Sequence, residues 1–155
     1  MRTSILLMAL VCLTARGQEG PARFGYILNE LKYPQKTPEE ALQSVVKAIE
    51  AGQVSYLMAQ LADPDFVDAK VAEYKKNVPG NERARMLQAF VRLVKETDDH
   101  FQEDPLLAKE LKRFSREGEW KTEGASAVAT CKTVPGRNVF MKKLQNRWYL
   151  ENKQN

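Results

Sequence analysis

Catalysis and metal binding need polar side chains that converge, so the candidates in this chain are quickly surveyed. His100 is the single histidine and follows Asp98 and Asp99, which puts two carboxylates and an imidazole in one run. Metal and acid–base sites draw three or more groups together from separate parts of a chain. These three are consecutive and close an amphipathic stretch on its polar side, as a solvated helix end does. Asp63, Asp65 and Asp68 alternate like calcium ligands, but the glycine and distal glutamate of a calcium loop are missing, and Asp63-Pro64-Asp65 has the composition of a helix boundary. No metal site is assigned and no cofactor is expected: there is no glycine-rich phosphate loop, no Gly-x-Ser-x-Gly turn and no paired-cysteine motif.

Tyr56, Phe66, Phe90, Trp120, Phe140 and Trp148 supply aromatic volume that serves either a core or the wall of a pocket. As pocket candidates we take Tyr56, Trp120, Phe140 and Trp148. Tyr56 and Trp120 come first, because each adds a polar handle to an apolar wall. The two cysteines are Cys12 and Cys131. Cys131 stands close to Ala127, Val128 and Ala129, company that suits a small buried residue better than a thiol held for an intermolecular disulfide.

The first residues read as an export signal. Arg2 gives the positive start, Ile5 to Leu13 the short apolar run, and Ala15-Arg16-Gly17 a small-x-small cleavage site, so residues 1–17 are expected to leave with a cut before Gln18. The run falls short of the roughly 20 apolar residues of a membrane-spanning helix. Bulky Val11 ahead of Cys12 argues against a lipid-modified cysteine. Cleavage would remove Cys12, excluding an internal disulfide, and would remove Arg2 and Arg16, lowering the formal charge from +4 to +2. The remaining Lys and Arg are scattered among Asp and Glu, which speaks against a nucleic-acid partner, and no membrane association is expected after cleavage. The destination is then periplasmic or extracellular.

The elements that must position any site follow in order. Residues 18–36 form a lead-in interrupted by Gly20-Pro21, Gly25 and Tyr33-Pro34, docked by Phe24, Tyr26, Ile27, Leu28 and Leu31 as a short helix or an extended arm. A single domain is expected over residues 37–153. Thr37-Pro38-Glu39-Glu40 is a capped helix start, and Ala41, Leu42, Val45, Val46 and Ile49 run at helical spacing to a stop at Gly52. A second helix spans about Val54 to Leu61, and a third carries Phe66, Val67, Val71 and Tyr74. A fourth, capped by Asn81, bears the stripe Met86, Leu87, Phe90, Val94, Thr97 and Phe101 as far as about His100; a fifth follows Asp104-Pro105 with Leu107, Leu111 and Phe114 inward. Strands are expected over residues 119–123, 125–133, 137–144 and 147–152, with turns at Glu123-Gly124, Pro135-Gly136 and Gln145-Asn146. On the last, Trp148 and Leu150 face inward and Arg147, Tyr149 and Glu151 outward. The fold class is α+β, with N-terminal helices packed on a curved C-terminal antiparallel meander.

Two motifs carry a resemblance. Thr37-Pro38-Glu39-Glu40-Ala41 with Ala48, Ala51-Gly52, Val54 and Leu57, and the terminal Asn146-Arg147-Trp148-Tyr149-Leu150, are similar to the opening helix and last hairpin of the nuclear-transport-factor-two-like superfamily. The chain departs from it at Gln53, where an Asp usually follows the Gly, and in the more helical stretch from Asp65 to Glu117. The resemblance implies a cone-like fold with an apolar pocket between helices and sheet. It implies no particular reaction, since the superfamily holds isomerases, dehydratases and hydrolases as well as members that only bind or assemble. Two functions follow as expectations: a noncatalytic exported domain that binds a small apolar ligand or a protein partner, such as a second copy through its sheet, and alternatively a pocket lyase, isomerase or hydrolase. The enzyme would require a desolvated carboxylate with a raised pKa.

Overall fold

A computed structural model describes residues 21–153. The expected leader, its cleavage point before Gln18 and Cys12 lie outside the described residues. The N-terminal segment opens as a two-stranded hairpin, β1 (Ala22–Arg23) and β2 (Tyr26–Ile27), turned by Phe24 at φ 51° and Gly25 at φ 89°. Two successive positive φ values give the turn whose twist matches the paired strands. A bulky residue rarely adopts this conformation. Here the turn presents Phe24 to Phe90, with the rings stacked at 4.2 Å.

The helices start where side-chain oxygens meet otherwise unpaired backbone N–H groups. Helix α1 (Pro38–Glu50) is capped by Thr37, whose Oγ1 accepts from the Glu40 N–H at 3.2 Å. The Glu40 carboxylate accepts in turn from the Lys36 N–H at 3.1 Å, one residue further back than the usual box. Gly52 at φ 64° ends the run. The stretch expected as a second α-helix differs in kind: α2 (Val54–Tyr56) is one turn that widens into a π-helical turn over Leu57–Leu61, closed by the Ala62 N–H on the Leu57 carbonyl at 2.9 Å. All five π-turn residues are buried, so neighbours must be met on every side rather than on one stripe.

Asp63 caps α3 (Pro64–Tyr74) through the Asp65 N–H, and a 3-10 turn (Lys75–Asn77) follows. Asn81 caps α4 (Glu82–Glu103), which continues past His100. Its inward residues are Ala89, Phe90 and Leu93, while Leu87 is 37% exposed, so the buried stripe is rotated from the expected one toward Leu93. Asp104 caps α5 (Pro105–Glu117), which turns Leu111 and Phe114 into the core.

The sheet is a consecutive antiparallel meander of β3 (Glu119–Glu123), β4 (Ser126–Thr130), β5 (Asn138–Leu144) and β6 (Arg147–Leu150), so the fold is α+β. Gln145 and Asn146, both at positive φ, make the tight β5–β6 turn. The β4–β5 connection is a longer loop over residues 131–137. Leu42, Val45 and Ala48 of α1 join Leu61, Val67, Phe114, Ala129, Met141 and Trp148 in one buried cluster.

Strand β6 departs from the expected alternation. Trp148 and Tyr149 are both buried, at 4% and 5% exposure, and Arg23 and Glu30 of the N-terminal segment stand close enough to act on the Tyr149 phenol that was expected to face water. Buried amides make the attachment. The Trp148 N–H donates to the Gln35 carbonyl at 3.0 Å, and Gln35 Nε2 donates to the carbonyls of Trp148 at 2.8 Å and Gln60 at 3.1 Å. Gln60 Nε2 donates to the carbonyls of Pro21 at 3.1 Å and Tyr26 at 2.6 Å.

A buried carbonyl that loses its donor costs about 1–3 kcal/mol. Gln35→Ala leaves the Trp148 and Gln60 carbonyls without the amide, and the expected loss is therefore about 2–6 kcal/mol. Urea unfolding measures it, and a midpoint equal to that of the wild type would show that the segment is not held by this amide.

Candidate functional site

Helical spacing lines up one face each of α3 and α4. Phe66, Lys70 and Tyr74 recur every fourth residue on α3, and Leu93, Glu96, Thr97, His100 and Phe101 share a face of α4. These two faces, the start of α5 (Asp104, Leu107, Leu111), the opening of β5 (Asn138, Val139, Phe140) and residues 150–153 surround a cleft of about 760 Å³. Leu57, Met58 and Ala62 of the π-turn region also line it. The volume lies within the roughly 300–1,000 Å³ of ligand pockets, and the lining has their composition of apolar walls with a few polar groups.

The polar groups of the cleft are largely engaged with one another. The Tyr74 hydroxyl donates to Glu96, which also accepts from Arg92 Nε at 2.9 Å, and the Arg92 guanidinium lies 4.3 Å from the centre of the Tyr74 ring. The hydrogen bond from Tyr74, followed by that from Arg92, holds the Glu96 carboxyl below its ordinary range. The same bond raises Tyr74. Glu96 is thus an ionised acceptor at neutral pH, the reverse of a carboxylate kept protonated by burial. Lys70 pairs with Glu73 at 3.0 Å, Arg137 with Glu110 at 2.6 Å and Lys153 with Glu151 at 3.0 Å. Thr97 Oγ1 donates back to the Leu93 carbonyl at 2.9 Å.

Of the four aromatic candidates, Phe140 lines the cleft, with Lys153 Nζ 5.8 Å from its ring centre. The other three lie outside its lining. Tyr56 is 7% exposed and its hydroxyl accepts from the Asn29 N–H at 2.9 Å. Trp148 is in the core. Trp120 is half-buried on β3, paired across the sheet with Ala129.

Of the polar candidates read from the sequence, His100 reaches the cleft and the five aspartates are occupied elsewhere. Asp98 accepts from Gln102 at 2.9 Å and Asp99 pairs with Lys95 at 2.6 Å. Asp63 caps α3, Asp65 pairs with Lys142 at 2.5 Å, and Asp68 pairs with Arg23. Among the described residues, no three His, Cys, Asp or Glu side chains are placed to hold a metal. Cys131 is buried, its Sγ 3.2 Å from Thr133 Oγ1. The cleft residues missed from sequence are Tyr74, Glu96 and Thr97. Their one signal was Thr97 inside the apolar stripe of α4, which marks a polar group on an inward face.

Tyr74→Phe removes the larger cause of the low Glu96 pKa, so that pKa is expected to rise toward the ordinary 4.5. A depressed carboxyl stabilises the fold above its unfolded pKa and loses that contribution as pH falls through the folded one. The variant should therefore lose less stability than the wild type between about pH 5 and pH 3. A carbon-detected carboxyl titration reads the shift directly, and an unmoved Glu96 would mean the bond is not made in solution.

Compared with protein-family models, with curated proteins and with solved structures, the chain matches none, and the nuclear-transport-factor-two-like resemblance rests on the residues quoted for it.

Proposed function

We propose that this is a noncatalytic, exported domain that binds a small apolar ligand in the cleft between α3, α4, α5 and the sheet. The observation that carries the reading is the cleft itself: about 760 Å³, walled by Leu57, Met58, Phe66, Leu93, Phe101, Leu107, Val139, Phe140 and Leu150, with polar groups around them. Burying apolar ligand surface contributes roughly 25 cal/mol per Å² before association costs. The three cleft cations are each neutralised by an acid of the same chain, so apolar contact and shape are left as the source of affinity. Tyr74, Thr97 and His100 can orient one polar group of the ligand.

The pocket-enzyme reading needs a carboxyl raised by desolvation. The carboxyls whose pKa is displaced, Glu82, Glu96, Glu119 and Glu123, are all displaced downward, by hydrogen bonds from Lys75, Tyr74, Lys132 and Lys121 respectively. That favours binding over proton transfer. Export is part of the proposal and rests on reading residues 1–17 as a cleaved leader. Among the described residues no helix is long and apolar enough to cross a membrane.

An environment-sensitive apolar dye, displaced by a panel of fatty acids, sterols and aromatic acids, tests the reading. Thr97→Trp, which fills the cleft, should weaken dye binding by about tenfold or more, since overlap with the ring excludes the ligand. Circular dichroism checks that the variant is folded. A dye that binds wild type and Thr97→Trp alike, or binds neither, would overturn the proposal.

A further inference from the structure

The N-terminal segment and β6 bring a second group of polar side chains together, apart from the cleft lining. Arg147 and Tyr149 stand two residues apart on β6 and so share a face, with the Arg147 guanidinium carbon 5.4 Å from the centre of the Tyr149 ring. Tyr33, 2% exposed, lies against Tyr56 with ring centres 4.5 Å apart. Tyr56 in turn is close enough to Arg147 for the cation to act on its phenol.

What distinguishes the group is a surplus of donors. The Tyr33 hydroxyl and Arg147 Nη1 are both buried and have no hydrogen-bond partner among the described residues. The Tyr56 oxygen already accepts from the Asn29 N–H. A guanidinium carries five N–H donors and no acceptor, and a donor enclosed without a partner, as Nη1 is on the half-buried Arg147, is costly. Glu30 is the carboxylate felt by both Tyr56 and Tyr149, yet it is exposed, acts on each only weakly, and makes no ion pair with Arg147. The third orphan atom nearby in sequence, Gln35 Oε1, is an acceptor and supplies no charge.

We propose that Arg147, Tyr33 and Tyr149 form a site for a small oxyanion, the carboxylate or phosphate group of a ligand, between the N-terminal segment and β6. The planar guanidinium matches two oxygens of such a group, and phenol hydroxyls can donate to the same or a third oxygen. This site is independent of the apolar cleft, and neither depends on the other being occupied.

Thermal unfolding in inorganic phosphate, in acetate and in sodium chloride of equal ionic strength tests the proposal on the full-length protein. A ligand that binds the native state raises the unfolding midpoint with its concentration. Phosphate or acetate is expected to do so beyond chloride. A response to phosphate alone assigns a phosphate group, and a response to acetate alone a carboxylate. Arg147→Gln should weaken the binding that responds by about tenfold or more, since a charged hydrogen-bonding partner is lost.

Tyr33→Phe provides the control against misfolding, because the hydroxyl it removes makes no hydrogen bond within the described residues. It should fold, and should bind the anion several-fold more weakly. Glu30→Gln, which removes the nearby negative charge, should bind it more tightly. Water alone at these atoms predicts something else: neither anion outperforms chloride, or Arg147→Gln and Tyr33→Phe respond as the wild type does. Either result would overturn the proposal.

Discussion

Strand β6 is the last of the meander, and an uncovered last strand exposes a row of backbone donors and acceptors to any chain that can pair with it. Here that edge is closed from within. Gln35 meets Trp148 in both directions, its carbonyl accepting from the Trp148 N–H and its amide donating to the Trp148 carbonyl, while the Asp63 N–H donates to the Leu150 carbonyl at 2.8 Å. The same Gln35 amide reaches the Gln60 carbonyl, and Gln60 reaches Pro21 and Tyr26. Two glutamine side chains thus tie three segments distant in sequence to one strand. The opposite edge, β3, is handled differently: Glu119, Lys121 and Glu123 put charge along it, which discourages pairing without covering it.

Closing the β6 edge has consequences for both candidate sites. The attachment to Gln60 is made within the π-turn, and the Leu57, Met58 and Ala62 neighbours of that residue line the cleft. A one-striped α-helix over the same residues would favour a single face. The wider turn serves the N-terminal segment through Gln60 and the cleft through Leu57 and Met58. The segment drawn onto β6 by Gln35 also carries the buried Tyr33, while on β6 itself Tyr149 is buried and Arg147 is half-buried with its Nη1 enclosed.

How far the sequence foretold this structure depends on the range of the interactions concerned. The caps at Thr37, Asp63, Asn81 and Asp104 are local, made by an oxygen two or three residues from the N–H it accepts, and they are legible from residue type alone. The Gln145-Asn146 turn is local in the same sense. By contrast, the Phe24 turn is held by stacking on Phe90, and the burial of Tyr149 depends on residues more than a hundred positions away. Neither leaves a periodic trace. Of the four pocket candidates, Phe140 alone lines the cleft, because side-chain type states what a residue can line but not which of two buried surfaces it meets. Tyr74 and Glu96, which meet only when α3 and α4 pack, could not be found from spacing within either helix.

The two sites differ in how their charges are managed, and this separates what each can select. In the cleft, Lys70, Arg137 and Lys153 have acids of the same chain within 3.0 Å, and Glu96 is fixed by Tyr74 and Arg92. A charged ligand would have to displace one of these pairs and leave its partner unsatisfied, so the cleft discriminates against it even where the volume allows entry. Arg147 Nη1 has no such partner among the described residues, so an anion meeting it there displaces no ion pair seen in the structure. On the two proposals, apolar shape is therefore the criterion at the first site and negative charge at the second.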